Sequence, residues 1–267
     1  MSRGSRPIAL VEVTAFLAIF FIVAWYLQAC LGGSYGWGSK AVMIVLGLVG
    51  IFIHRDLRRY GLIPKDIRFS LKWSLYVALL FVTTSLAFIV VAFITGTARP
   101  VDLGTLAIDA LWFFIFVGFA EELFFRGYIQ SRLNEVFTAK YGSILGVKYR
   151  WTQGTLITGV FFFGIPHILT GVNPFIGYVR VTPMTIAITG LACFIGVIFG
   201  VLRERTGSII LPTILHGFLD YTVFSIGRVI GLALSNAAAF TALLLFFTSL
   251  FRKILEEPIS LGNVVGG

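Results

Sequence analysis

Charged residues are scarce in this chain. Asp, Glu, Lys and Arg make up 12% of its 267 residues, whereas 58% are hydrophobic. Soluble globular domains carry about 25% charged residues, so this composition excludes a soluble domain. The composition instead predicts a polytopic membrane protein that forms one domain over residues 1–267.

Cysteine is also rare, and several common motifs are missing. Cys30 and Cys193 both fall in apolar segments, which argues against a disulfide framework. No His-Glu-x-x-His sequence is present, and no internal repeat stands out. The first apolar run lacks a small-residue cleavage site, so we expect it to remain as a membrane span.

Long apolar segments dominate what is present. A spanning helix needs about 20 mostly apolar residues, and this criterion predicts an all-α, polytopic transmembrane helical bundle of about eight spans with its active site inside the membrane. The predicted spans are residues 9–31, 38–54, 71–95, 103–130, 155–171, 183–202, 208–227 and 229–251.

The formal net charge of +9 raises the question of an acidic partner. If the N-terminus is cytoplasmic, sixteen basic residues fall on the cytoplasmic side, and the other side holds Lys40, Arg99, Arg180 and Arg228. This asymmetry follows the positive-inside rule. We therefore expect the lipid bilayer, and not nucleic acid, as the acidic partner. We also expect both termini in the cytoplasm and a prokaryotic plasma membrane as the location.

Two adjacent glutamates, Glu121 and Glu122, interrupt the apolar sequence of the fourth span. A charged side chain near the bilayer centre costs about 3 kcal/mol, and two neighbouring carboxylates also repel each other. Glu122 and Arg126 are four residues apart and share a helix face, which predicts a supporting ion pair. Glu121 points about 100° away and is therefore expected to have a different partner.

Two of the three histidines also lie inside predicted spans. His167 follows Pro166 in the fifth span, and His216 lies four residues before Asp220 in the seventh. Counted along the helices, Glu121, His167 and His216 share one layer, nearer the cytoplasmic face. His54, at the end of the second span, is interpreted as an interfacial residue.

These side chains suit the hydrolysis of an amide bond. A glutamate and a histidine that converge on one water form a general base. A second histidine with a neighbouring aspartate can stabilise a developing oxyanion. The residue types alone do not decide between this reaction and others.

Three motifs occur in order: Glu-Glu-x-x-x-Arg at 121–126, Phe-x-x-x-His at 163–167 and His-x-x-x-Asp at 216–220. Together, over about residues 103–225, they resemble the CPBP family of intramembrane proteases, which includes the Rce1-type CAAX prenyl endopeptidases.

This resemblance implies a role for each motif residue. Glu121 and His167 would activate the nucleophilic water, and His216 and Asp220 would form the oxyanion site. The prenyl-protease branch typically has Asn at the position of Asp220, whereas bacterial and archaeal members accept either residue.

The resemblance further implies that Glu122 and Arg126 support the catalytic residues. It implies a glutamate-type protease without a cofactor. Its substrate would be a membrane-anchored or lipidated peptide or protein, a class that includes prenylated CaaX chains. The substrate would be cut near the inner membrane face.

Three other interpretations remain open. Glu121, His167 and His216 are acceptable zinc ligands, so a zinc-dependent membrane metalloprotease is one. Intramembrane Glu and His also carry protons in transporters, and a non-catalytic membrane scaffold would show the same sequence.

The Gly-x-Ser-x-Gly string at 32–36 is interpreted as a hairpin loop, since a hydrolase elbow needs a strand–turn–helix setting.

Overall fold

The computed structural model describes residues 5–32 and 35–259, in which eight helices are long and apolar enough to cross a membrane. They are α1 (Arg6–Leu31), α2 (Trp37–His54), α3 (Ile67–Ile94), α4 (Leu103–Val136), α5 (Gln153–Gly171), α6 (Pro183–Thr206), α7 (Ile210–Ile230) and α8 (Leu232–Glu256). The prediction of eight spans in an all-α membrane protein is confirmed. The Gly-x-Ser-x-Gly string lies partly outside the described residues.

Local signals explain several helix ends. The Asp66 carboxylate accepts a hydrogen bond from the Phe69 N–H at 3.1 Å and caps α3. Thr182 and Thr185 form a capping box at the start of α6, and Gly207, with φ of 66°, ends that helix. The helix α4 runs to Val136 and not to the predicted residue 130.

A β-hairpin that the sequence did not predict follows α4. Its strands are β1 (Lys140–Ile144) and β2 (Val147–Thr152), paired antiparallel with Lys140 opposite Thr152. Leu145 and Gly146 both have positive φ at the turn, as a type I′ turn requires. A second short pair, β3 (Val172–Asn173) and β4 (Tyr178–Val179), lies between α5 and α6.

The chain divides into two compact units. Unit 1 contains residues up to 64 and residues 120–209, and therefore α1, α2, the second part of α4, the hairpin, α5 and α6. Unit 2 contains residues 65–119 and those from 210 onwards, and therefore α3, the first part of α4, α7 and α8. The single domain stays a prediction.

Glycines bring α5 and α6 close together in unit 1. A Cβ atom at Gly196 would lie 2.7 Å from the carbonyl oxygen of Gly159, and one at Gly200 would lie 2.6 Å from Cγ2 of Thr155. Neither contact leaves room for a side chain. Close packing of two helices through small residues spaced by four is typical of membrane proteins.

A polar cluster joins α1, α2 and α4 near the hairpin end of unit 1. The Glu12 carboxylate accepts hydrogen bonds from His54 Nε2 at 2.7 Å, the Tyr128 hydroxyl at 2.8 Å and Arg132 Nε at 2.7 Å. His54 is therefore part of a tertiary network, and its interfacial position stays a prediction. Since each partner is distant in sequence, no local pattern revealed the cluster.

In unit 2, the first part of α4 packs tightly against α7. A Cβ atom at Gly118 would lie 3.0 Å from the carbonyl oxygen of Thr213, so glycine permits this approach. The Asp109 carboxylate is fully buried and accepts a hydrogen bond from Arg228 Nε at 2.8 Å, which satisfies its charge.

Candidate active site

One cavity of unit 1, of about 210 Å³, is lined by Glu121 from α4, His167 from α5 and Lys40 from α2. Aromatic and aliphatic side chains from α1, α4 and α5 form much of its wall. At about 30 Å³ per molecule, the cavity has room for several waters. The structure thus brings two of the predicted catalytic side chains into one space.

Lys40 forms an ion pair with Glu121. The two side chains are only 17% and 12% exposed, so each largely offsets the cost of burying the other's charge. The sequence did not predict this partner, because the two residues are 81 positions apart. The only available signal was a lysine inside the otherwise apolar helix α2.

The predicted ion pair between Glu122 and Arg126 is present. Arg126 Nη1 donates to Glu122 Oε1 at 2.9 Å, and both side chains are fully buried. Arg126 Nη2 also donates to the carbonyl oxygen of Gly196 at 3.3 Å. The two adjacent glutamates therefore have different cationic partners, as their directions on the helix predicted.

Phe163 connects this ion pair to His167. The Arg126 guanidinium carbon lies 3.8 Å from the centre of the Phe163 ring, within cation–π range. The rings of Phe163 and His167 meet edge to face with their centres 4.8 Å apart. The aromatic residue of the Phe-x-x-x-His motif thus contacts both the supporting arginine and the histidine.

The backbone of α5 also orients His167. From Ile165 onwards the helix has 3₁₀ geometry, and its second residue, Pro166, has no N–H to donate. His167 Nδ1 donates to the carbonyl of Phe163 at 2.7 Å. A neutral imidazole held in this way carries its lone pair on Nε2, the nitrogen that can accept a proton.

The winding of α4 is unusual around the glutamates. Trp112–Phe119 and Glu122–Ile129 are π-helical, and Glu121 lies between the two stretches. π-Helical turns are rare and occur frequently at functional sites. They are a feature that hydropathy and spacing do not reveal.

His216 and Asp220 lie on α7 in unit 2. His216 Nε2 is 3.5 Å from Asp220 Oδ2, with the histidine buried and the aspartate partly buried. The structure therefore confirms that the two share a helix face. Their convergence with Glu121 and His167 stays a prediction.

Glu121 and His167 lie at different distances from the ends of their helices. Glu121 lies about 22 Å from the Val136 end of α4, and its depth in the bilayer stays a prediction. His167 lies four residues before the far end of α5 at Gly171. Within unit 1, both side chains lie away from the hairpin.

Metal ligands do not form a group in the described part of the chain. Over residues 5–32 and 35–259, no three His, Cys, Asp or Glu side chains are close enough to hold an ion. A cofactor-free reaction stays a prediction, which chelators can test.

Residues 103–222 match the family model described as type II CAAX prenyl endopeptidase Rce1-like. Over these residues the chain is similar to the Rce1-like family. It contains all three motifs, from Glu121 to Asp220, so the resemblance inferred from them is confirmed at the family level. No curated protein and no solved structure matches the chain significantly.

Proposed function

We propose that this Rce1-like protein is an intramembrane endopeptidase in which Glu121 and His167 activate a water molecule. The observation that carries the proposal is that both side chains line one cavity. The family description supports a CAAX-type endopeptidase in general, and the arrangement of side chains supports a glutamate-type mechanism in particular.

In this mechanism, the Glu121 carboxylate and His167 Nε2 both contact the water. One positions it while the other takes its proton. The water oxygen attacks the carbonyl carbon of the peptide bond, and the carbonyl oxygen becomes an oxyanion. The carbon–nitrogen bond then breaks, and the amine leaves with the proton, which yields a free carboxyl group and a free amino group.

Lys40 supports the charge state that this reaction needs. A buried carboxylate without a cation favours its protonated form, which cannot accept a proton from water. The Lys40 ammonium beside Glu121 stabilises the ionised form. With Glu121 paired to Lys40, His167 Nε2 is proposed as the final acceptor of the proton.

His216 and Asp220 are proposed to stabilise the oxyanion. With Asp220 oriented toward it, His216 can donate a hydrogen bond to the developing charge. An ionised Asp220 itself would repel an oxyanion. Asp220 is therefore proposed to orient His216 and not to contact the substrate directly.

The proposed substrate is a membrane-anchored or lipidated polypeptide. The eight apolar helices support a membrane protein, and the family description is that of a CAAX prenyl endopeptidase. The excess of basic residues in alternate connections along the sequence supports cytoplasmic termini.

The experiment uses purified protein in lipid nanodiscs and two peptides followed by mass spectrometry. One is a farnesylated peptide that ends in Cys-aliphatic-aliphatic-X, and the other is an unlipidated transmembrane peptide. We expect wild type to cleave at least one of them, and Glu121→Gln and His167→Ala to lose cleavage while they keep the fold. Glu256→Gln, the same change at an exposed glutamate, is the control. Wild-type cleavage by a folded Glu121→Gln protein would refute the mechanism.

Two rival functions have distinct outcomes in this assay. A zinc metalloprotease would lose activity with chelators and regain it with zinc. A non-catalytic scaffold or a transporter would cleave neither peptide at a rate above that of the Glu121→Gln protein.

A further inference from the structure

The proposed hydrolysis creates a negative charge beside a carboxylate. When the water held by Glu121 adds to the peptide carbonyl, the carbonyl oxygen becomes an oxyanion within a few ångströms of that side chain. Two like charges at such a separation repel strongly in a largely buried site. The reaction therefore needs a hydrogen-bond donor, and preferably a cation, that can contact both charges.

Most polar side chains in the cavity wall already donate to the backbone. The Ser39 hydroxyl donates to the Gly36 carbonyl at 2.8 Å, and the Thr170 hydroxyl donates to the His167 carbonyl at 2.7 Å. His167 Nδ1 donates to the Phe163 carbonyl. Because a hydroxyl has one hydrogen to donate, Ser39 or Thr170 would have to break its bond to serve an oxyanion.

Lys40 differs from these side chains because it has donors to spare. Its ammonium carries three hydrogens, and within the described part of the chain it makes one hydrogen bond, to Glu121 Oε1. The side chain is 17% exposed and lines the cavity together with His167. Two N–H groups of a cation can therefore bind a ligand in the same space as the proposed general base.

The position of Lys40 in α2 favours a second negative charge beside it. Lys40 lies in the first turn of this helix, which contains no acidic residue. The free backbone N–H groups of a helix N-terminus carry a partial positive charge, so a cation there is unfavourable. Glu121 offsets one unit of positive charge, and the helix end adds to the attraction for another anion.

From these contacts we propose that Lys40 stabilises the oxyanion directly. The inference rests on the proposed function and adds a donor of unit 1 to the contribution proposed for His216. As the water oxygen bonds to the carbonyl carbon, the π electron pair moves to the carbonyl oxygen, and the Lys40 ammonium donates a hydrogen bond to it. Lys40 keeps its proton, while His167 receives the proton of the water. When the carbon–nitrogen bond breaks, the electron pair returns and the oxygen is again a carbonyl.

Two uncleavable probes test this contact without catalysis. Each is made from both peptides of the cleavage assay. In the first probe a phosphinate replaces the scissile amide and places a negative charge on a tetrahedral centre. In the second an uncharged ethylene group replaces it. Affinities are measured by thermophoresis with the protein in nanodiscs.

The Glu121→Gln protein separates a direct contact from an indirect one. It has no carboxylate that Lys40 could keep ionised, so an effect of Lys40→Met in this background reports contact with the anion itself. The double variant also leaves no unpaired buried charge from the Lys40–Glu121 pair, which favours a folded protein. Lys40→Arg keeps the cation and its donors in both backgrounds.

We expect Lys40→Met to weaken phosphinate binding at least about tenfold in both backgrounds, with little change for the ethylene probe. Lys40→Arg should retain most of the phosphinate affinity. Gln28→Met is the matched control, because Gln28 lines the same cavity and its side-chain oxygen accepts a hydrogen bond from Asn173 Nδ2 at 3.4 Å. This control should bind both probes as wild type does.

The opposite results overturn the inference. A loss of phosphinate affinity in the wild-type background alone would show that Lys40 acts only through the charge of Glu121. An equal loss for both probes, or for Gln28→Met, would show a general effect on the cavity. Wild type that cleaves a peptide but binds the two probes equally would exclude the contact and leave the proposed function standing. Failure of the proposed function is detected separately, by the absence of cleavage.

Discussion

Arg126 and Phe163 form a cation–π contact of 3.8 Å that links two motifs separated in sequence. Through it, the buried ion pair of α4 reaches the aromatic ring that packs against His167. We therefore propose that Glu122 and Arg126 are positioning residues. They hold the helix that carries the histidine and need not touch the substrate.

The first prediction concerns Phe163. Phe163→Leu removes the cation–π contact and the edge of the ring against His167, while the backbone carbonyl that orients the imidazole remains. We expect kcat to fall with little change in KM, and the protein to lose about 1–3 kcal/mol of stability. Phe161→Leu, on the same helix but 59% exposed, should leave kcat and the stability of the protein unchanged. Equal effects of the two substitutions on peptide cleavage would contradict a positioning role.

The second prediction compares two Glu–Arg pairs of the same spacing. Glu122→Ala leaves Arg126 charged and buried without its carboxylate, which costs about 3–5 kcal/mol. Glu256→Ala breaks the exposed pair with Arg252, which is worth about 0.5 kcal/mol. Thermal unfolding in detergent should therefore show a much larger loss of stability for Glu122→Ala than for Glu256→Ala. A Glu122→Ala protein as stable as wild type, yet inactive, would indicate a direct catalytic role.

The sequence predicted the helices better than the contacts between them. Runs of about 20 apolar residues were sufficient for eight spans, and the i,i+4 spacing was sufficient for the pair of Glu122 with Arg126, because both signals are local. The pair of Lys40 with Glu121 was not predictable, because it joins two helices and the rotation of one helix relative to the other cannot be deduced from either sequence alone.

Two further features were missed for related reasons. The hairpin turn at Leu145-Gly146 lacks the Asn-Gly or Asp-Gly signal of most type I′ turns, and its polar strands resemble a loop. The orientation of His167 depends on its bond to the Phe163 carbonyl, in a 3₁₀ segment that ends a membrane helix, and the sequence around Pro166 does not predict either feature. In both cases the backbone conformation, and not the residue pattern, determines the result.

The third prediction tests Lys40 by charge. Lys40→Met removes the cation beside Glu121, so the carboxylate takes a proton in its largely buried site and water activation should fall by at least about tenfold, the equivalent of 1.4 kcal/mol. Lys40→Arg keeps the charge and should retain more activity than Lys40→Met. The measurement is kcat/KM on whichever peptide wild type cleaves. Lys148→Met, on the exposed hairpin, is the control; equal activity of the Met and Arg proteins at position 40 would exclude an electrostatic role.

The fourth prediction concerns metals. A reaction that uses Glu121 and His167 as the general base needs no ion, so cleavage should persist after dialysis against EDTA and treatment with 1,10-phenanthroline. Elemental analysis of the purified protein should find less than one zinc per chain. Loss of activity that added zinc restores would support the metalloprotease alternative and would reassign these side chains as ligands.

The last prediction tests the packing that holds α5 in place. Gly196→Ala puts a Cβ 2.7 Å from the Gly159 carbonyl oxygen, a distance that requires α5 and α6 to separate. Because Arg126 bonds the Gly196 carbonyl and stacks on Phe163, the separation should reduce both stability and activity. Gly190→Ala, on the same helix with no atom within 4 Å of the new Cβ, should be neutral or stabilise by up to about 1 kcal/mol. Thermal unfolding and cleavage rates of the two proteins test this prediction. If Gly196→Ala were as stable and as active as Gly190→Ala, the close approach of α5 and α6 would not position the site.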